Sequence, residues 1–445
     1  VVLAPPWPTG KSDMRRIRIE ILMAALFLAL TTFISLSATA DEADDLATRV
    51  DVLAEEIARL REQMAIPETD EELGSAYGMG PAASKVYGER QGVALGGYGE
   101  FYFEDTIDGD NTADMYRFIT YVGYKFSDRI VMNTEIEFEH ATTSGNFEGR
   151  GGSVSVEFSY LDFLLSDRFN VRAGNLLVPM GSVNELHEPP FYRGNFRPAV
   201  ERTIIPSTWR ELGAGAHGQL SERMRYTAYI LNGMYGPAFD ATGVRDGRQK
   251  GNRAVWNDVG AVAAIDYESA RYGASTSGYF GGADQDRVSD GIDAVSVKNW
   301  IAEAHAYWRG GGLELRGLVA LSGIEGADAL SVLDDPGTPE DEEIAVPERQ
   351  LGWYLEAAYD VAPWFTSAPG FRVEPWVRYE DFDLQRRVAD GFTPDATADR
   401  QSITAGVHYL PHPQVAIKVE WERLTTASDS DEARDEVRAG AGFVF

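Results

Sequence analysis

Three sets of residues in this 445-residue chain could do chemistry. The first is six histidines, His140, His187, His217, His305, His408 and His412. They are scattered, and none falls in a nucleophile or metal motif. Only His187, close to Glu185 and Glu188, has carboxylates beside it in the sequence. With no cysteine in the chain, thiolate catalysis, disulfides, Cys-ligated zinc and iron–sulfur clusters are excluded. No catalytic residue, metal ligand set or cofactor is expected, and the chain is read as no enzyme. The second set is a ladder of charges: Glu135, Glu137, Glu139 and Glu157 early, Arg309, Arg316, Arg372 and Arg378 late. Charged rows along the wall of a pore set which solutes pass. Such rows produce a transverse field unless they pair locally, as Arg378 with Glu380 would. The third set lies in the irregular stretch 178–211, where Arg193, Arg197, Arg202 and Arg210 face Glu185, Glu188, Glu201 and Glu211.

The elements that must position these residues have a two-residue period. In 115–126, Tyr116, Phe118, Thr120, Val122, Tyr124 and Phe126 share one face, opposite Arg117, Tyr121 and Lys125. In 297–309, Trp300, Ala302, Ala304, Ala306 and Trp308 oppose Glu303, His305, Tyr307 and Arg309. Charges keep to one phase almost throughout, Asp162 being the clearest exception. About sixteen such segments run from residue 92 to residue 445. Tight turns such as Ser127-Asp128, Gly310-Gly311 and Pro411-His412 alternate with longer loops. An even number of ten-residue alternating strands with short and long connections predicts an all-β fold, a 16-stranded antiparallel transmembrane β-barrel. Trp300 and Trp308 are spaced to sit in the two aromatic girdles of such a barrel. Phe445 falls on the lipid-facing phase and suits a closing strand. A barrel this wide holds water, so the polar phase lines an aqueous channel.

Upstream, Met14-Arg15-Arg16-Ile17-Arg18, the apolar run from Ile21 and Ala38-Thr39-Ala40 read as a signal peptide cleaved after Ala40. Leu46, Val50, Leu53, Ile57, Leu60 and Met64 alternate at spacings of 4 and 3, an a/d seam that predicts a short coiled coil. The domains are therefore 1–40 (start extension and signal peptide), 41–66 (coiled-coil helix), 67–91 (linker) and 92–445 (barrel). Forty basic against seventy acidic residues leave −30 at pH 7, which argues against nucleic-acid binding. Twelve acids against three arginines in 41–72 account for nine of those charges. Much of the rest belongs to long loops. A mean hydropathy of −0.26 argues against a helical membrane protein but not against a barrel, whose inner phase is polar.

The stretch 178–211 also carries Pro179, Pro189, Pro190, Pro198 and Pro206, with Phe191, Tyr192, Phe196 and Trp209. That density predicts an ordered loop folded inward to narrow the channel. Arg193, Arg197, Arg202, Arg210, Glu185 and Glu188 are then the constriction, with the arginines facing anionic or hydroxylated solutes. The alternative is an external lid or subunit contact. At the level of the whole chain the expected function is passive diffusion of small hydrophilic solutes or ions through a bacterial outer membrane. The alternative is a structural or adhesion barrel oligomerised or anchored through its coiled coil.

Certain stretches carry a family resemblance. Ser84-Lys85-Val86-Tyr87, Gly96-Gly97-Tyr98-Gly99-Glu100 and Arg172-Ala173-Gly174-Asn175-Leu176 are three of them. Pro179, Gly181, Asn184-Glu185 and His187 continue the third, followed by Ile204-Ile205-Pro206-Ser207-Thr208-Trp209 with Glu211. Together they resemble porins grouped with the phosphate-selective porins, across roughly residues 84–445. The resemblance implies a homotrimer with an inward third loop, set among outer-membrane lipid and lipopolysaccharide. The lysine-rich vestibule and arginine ladder of the family's namesakes are not matched, because the lumen phase here is mixed and the outer loops are acidic.

Overall fold

The computed structural model describes residues 75–107, 109–146, 149–289, 294–332, 345–428 and 433–445. The signal segment and the heptad residues Leu46, Val50, Leu53, Ile57, Leu60 and Met64 lie outside the described residues.

Sixteen strands form the barrel. The first eight are β1 (Gly92–Thr106), β2 (Thr112–Ser127), β3 (Ile130–Glu139), β4 (Val154–Ser166), β5 (Phe169–Leu177), β6 (Arg210–Ser221), β7 (Met224–Asn232) and β8 (Val259–Glu268). They are followed by β9 (Tyr272–Gly282), β10 (Lys298–Gly310), β11 (Leu313–Glu325), β12 (Pro347–Tyr359), β13 (Arg372–Val388), β14 (Asp399–His412), β15 (Val415–Thr426) and β16 (Arg434–Val444). Each pairs antiparallel with its sequence neighbour, and β1 pairs with β16 from Tyr98↔Val444 to Thr106↔Glu436, so no edge is left open. The Phe445 N–H donates to the Gly97 carbonyl at 2.8 Å and extends that seam by one step. Closure satisfies every strand edge, which an apolar bilayer requires.

The alternation has the expected physical meaning. Val93, Leu95, Phe103, Ile230, Phe280, Leu315, Leu355 and Val419 are exposed around the outer surface. Their neighbours Glu100, Arg117, Glu303, Glu356, Arg378 and Glu420 are buried within. A belt of exposed apolar side chains around a closed barrel with a polar interior belongs in a membrane, and the chain is an outer-membrane barrel.

The differences from the sequence reading are local. β1 and β2 extend until only residues 107–111 connect them, so the first of the longer loops is short. The connection 360–371 between β12 and β13, on the rim of tight turns, is comparatively long and contains a short 3-10 turn at Ala362–Trp364. Asp162 breaks phase because β4 carries a bulge. The register steps from Glu135↔Phe158 to Ile136↔Val156, leaving Glu157 unpaired. The extra residue turns Glu157, Phe158, Tyr160 and Asp162 inward together, all of them buried.

The segment assigned to a linker, 67–91, is in part an element of the barrel interior. Residues 81–88 form a helix, α1 (Pro81–Gly88), whose Ala82, Ala83, Ser84 and Val86 are buried. Small side chains suggest a linker by composition, but they also let a helix approach a wall closely. The wall has matching gaps: a Cβ on Gly123 would come within 2.4 Å of Val86, and one on Gly96 within 2.7 Å of the Ala82 carbonyl oxygen. Asn133 donates to the Ala83 carbonyl at 2.7 Å, and the Tyr87 hydroxyl donates to Asp162 at 2.8 Å.

Candidate functional site

Residues 178–209 leave β5 and return to β6 as the third long connection, L3. Its neck is clasped by Asn184, which donates to the Val178 carbonyl at 2.7 Å and accepts from the Trp209 N–H at 2.7 Å. Trp209 is fully buried beside Tyr279, their ring centroids 4.8 Å apart. Beyond the neck, Glu201 on a short helix, α2 (Ala199–Thr203), accepts from the backbone of Ser182 and Val183 at 2.7 and 2.9 Å, and from the Tyr354 hydroxyl at 2.7 Å. Proline restricts this segment before it folds, and these acceptors then hold it.

L3 reaches both sides of the lumen. Toward β1 and β2, Tyr192 donates to Glu100 at 2.6 Å, and Arg117 donates to the same carboxylate at 2.5 Å. Toward β11–β13, Arg193 meets Glu356 at 2.8 Å, Glu314 at 3.2 Å and Glu374 at 3.4 Å. Toward β13 and β15, Glu380 accepts from the Val200 N–H at 3.1 Å and Glu420 from the Asn195 N–H at 3.0 Å. Lys418 donates to the Gly194 carbonyl at 2.8 Å. A loop bonded to inward groups of opposite walls lies inside the barrel.

The charge ladders are largely paired where they stand. Arg378 bonds Glu380 at 2.8 Å and faces Glu356 at 3.4 Å. Arg309 bonds Glu314 at 2.7 Å, Arg372 bonds Glu374 at 3.1 Å, and Arg316 bonds Glu314. On the early wall, Glu157 pairs with Arg210 at 3.0 Å and Glu135 with His187 at 3.3 Å. Glu139 accepts from Ser153 at 2.7 Å, while Glu137 has Ser155 at 3.5 Å. Between transverse field and local pairs, the late strands hold local pairs.

The sequence-predicted constriction residues separate into two groups. Arg193 and Arg210 are ion-paired to the wall. Glu188 is taken up by α1, accepting the Ala82 N–H at 3.0 Å, and burial pushes its carboxyl up to about 7. Burial likewise takes Glu185, which lies against Gly78, up to about 7, with Arg225 opposing the shift. Arg197 and Arg202 differ: Arg197 donates to the Thr208 hydroxyl at 3.0 Å, and Arg202 stands 5.5 Å from the Phe196 ring centroid. Neither forms an ion pair among the described residues.

What the sequence reading missed is the partner of these two arginines. The fourth long connection, L4 (233–258), brings Arg245 and Arg248 against L3, with Lys250 near both arginines. Arg245 donates to the Ser207 carbonyl at 2.7 Å and to the Arg202 carbonyl. Arg248 donates to the carbonyls of Pro206 and Thr208, each at 2.7 Å. The guanidinium groups are held by neutral oxygens, so their charge is kept. Burial and then the nearby Arg245 and Arg210 push Arg248 down to about 9. Arg245 is lowered by burial and then by Arg202 and Arg197. Lys250 is lowered by burial, Arg248, Arg210 and Arg245. Mutual depression of this kind marks a concentration of positive charge short of counter-ions. A signal was available in the sequence, since residues 245–253 hold four cations against Asp246 alone in a chain that is otherwise acidic. Where L3 and L4 meet, here called the crest, Val200, Ile204 and Ile205 of L3 join Met234, Phe239 and Val244 of L4 in one apolar cluster. Each such buried side chain contributes roughly 1.5–3 kcal/mol.

No family model matches the chain. An uncharacterised protein of Aquifex aeolicus (strain VF5) is 34% identical over 396 residues, spanning 87% of each chain. The present chain belongs to the family of that protein. Among solved structures, OmpF of Salmonella typhi in complex with daunomycin superposes with a TM-score of 0.54 at 12% identity, over 81% of this chain and 99% of that one. The anion-selective porin of Comamonas acidovorans gives 0.51 at 12% identity, over 79% and 99%. The outer-membrane channel DcaP of Acinetobacter baumannii gives 0.50 at 13% identity, over 79% and 97%. At these identities the likeness is one of fold, that of the 16-stranded outer-membrane porin.

Proposed function

We propose that the chain is an outer-membrane diffusion channel narrowed by L3 and L4, and that its constriction favours small anionic solutes over cations. The observation that carries this reading is the group Arg197, Arg245 and Arg248, whose hydrogen bonds go to uncharged oxygens, with the cations Arg202 and Lys250 close to them. Unneutralised cations along a narrow low-dielectric path raise the local concentration of anions and exclude cations. The description of one similar structure as an anion-selective porin agrees with it. Phosphate is one anion among the candidates, alongside carboxylates and sulfate. The functional unit is a homotrimer in contact with lipid and lipopolysaccharide.

The test is liposome swelling with matched solutes. Proteoliposomes should admit a small dicarboxylate faster than a neutral sugar of equal size, and a diamine slowest. One observation favours a second reading, a structural barrel: the apolar cluster that L3 and L4 share inside the barrel. Absence of swelling with every solute would select that reading and reject the channel.

A further inference from the structure

Glu135 on β3, Glu157 at the β4 bulge and His187 on L3 converge although no motif links them in the sequence. We infer that these three side chains bind one divalent transition-metal cation of the zinc class, which fastens L3 to the early wall.

The distances fit. His187 Nε2 lies 3.3 Å from Glu135 Oε1 and 3.5 Å from Glu157 Oε2, and the three ligand atoms fall within 4.8 Å of one another. Bonds of about 2.0–2.1 Å to a tetrahedral zinc ion set its ligand atoms about 3.3–3.4 Å apart. The imidazole is oriented for the task. Its Nδ1–H donates to the Asn184 carbonyl at 2.9 Å, which leaves the Nε2 lone pair facing the carboxylates. A histidine that binds a metal through one ring nitrogen commonly donates its other N–H to a carbonyl in this way. Without a metal between them, the imidazole bonds Glu135 only when it carries a second proton, and one Nε2–H cannot satisfy both carboxylates.

Two further observations point to a missing cation. Glu135 Oε2 and Glu157 Oε2 have no hydrogen-bond partner, and the two residues are 0% and 1% exposed. The second of these orphaned oxygens is the atom aimed at His187. Buried carboxylate oxygens are costly when unsatisfied. Charge also falls short: Glu135 and Glu157 are buried together with Glu137 beside them, and Arg210 is the guanidinium bonded to the group. A divalent ion restores the balance. The donor set selects its kind, because an imidazole with two carboxylates suits zinc, whereas calcium takes six to eight oxygens and magnesium an octahedral shell rich in water. Three protein ligands leave a fourth position for water or for an anionic solute.

The experiment uses the full chain, folded in detergent and stripped with a chelator, titrated first with Zn(II) and then with Co(II) as a spectroscopic probe. The expected result is one Zn(II) per protomer and the intense visible absorption of tetrahedral Co(II). His187→Gln and Glu135→Gln should each weaken Zn(II) binding at least tenfold and abolish the Co(II) band. His305→Gln, a lumen histidine bonded to Glu303, should change neither. Heat-modifiable gel mobility verifies that each variant is a folded barrel, and the wild-type Co(II) spectrum stands without any variant. Absence of stoichiometric Zn(II), an octahedral Co(II) spectrum, or equal binding in His187→Gln would each overturn the inference.

Discussion

The late wall, β11–β16, and the L3–L4 crest are both rich in arginine, yet they handle the charge in opposite ways. On the wall the buried guanidinium groups have carboxylates: Arg378 has Glu380 and Glu356, and Arg438 has Glu104, Glu420, Glu422 and Glu436. On the crest Arg245 and Arg248 are held by backbone carbonyls, which fix their position and leave the charge standing. A paired arginine is a structural cross-link with little far field. A carbonyl-bonded arginine is a fixed source of potential. Counting arginines along a strand therefore says little about selectivity until their acceptors are known.

The largest effect should come from the crest. Two unit charges roughly 10 Å from a passing ion act on it by about 0.4 kcal/mol each at the aqueous limit, with opposite sign for anion and cation, so together they change the permeability ratio by about 1.5 kcal/mol. Arg245→Gln combined with Arg248→Gln should lower the anion-to-cation permeability ratio roughly tenfold, read from bi-ionic potentials. Unchanged permeability would place the solute path elsewhere. Next is the anchoring of L3. Glu201→Ala removes the acceptor of Ser182, Val183 and Tyr354 and leaves buried donors unmatched, at a cost of about 2–3 kcal/mol. L3 should become a protease target and single-channel traces should become noisy, with the barrel itself intact. A quiet channel in Glu201→Ala would mean that the apolar cluster alone holds the loop.

The third effect is set by pH. In metal-free protein Glu188 sits near 7 in the folded state against an ordinary 4.5, so between these values the folded state binds more protons than the released loop. Docking of L3 on α1 should therefore strengthen as pH falls from about 7 to about 4.5, by up to roughly 3 kcal/mol, and weaken as pH rises through 7. Closing events counted per minute across that range measure it, and Glu188→Gln should flatten the profile. The smallest effect belongs to the wall. Replacing Arg378 and Glu380 together by glutamine removes a matched pair and should leave the permeability ratio within about twofold. A large shift there would show that wall charges reach the solute as the crest charges do.

The barrel was legible because lipid outside and polar groups inside impose a two-residue period that each strand carries by itself. All sixteen strands follow from it, and L3 stood out through its prolines and aromatics. What escaped depends on partners distant in sequence. Asp162 looked misplaced because a bulge at Glu157 becomes visible only once β3 and β4 are in register. Residues 81–88 looked like linker because alanine and serine read as loose chain until Gly96 and Gly123 are seen opposite them. Arg193, expected to face solutes, is taken up by three glutamates from three strands, an arrangement that no spacing announces. Arg245 and Arg248 lay in a loop with no strand phase to direct them, and only their contact with L3 gives them a role.

The central claim is that the crest, and not the overall charge of −30, sets selectivity. Reversal potential in a potassium chloride gradient, recorded on single wild-type channels, tests it most directly. With the concentrated salt on one side, the account predicts a potential of the sign set by chloride passing more readily than potassium. A potential of the opposite sign, with potassium favoured as the acidic composition alone would suggest, would contradict it.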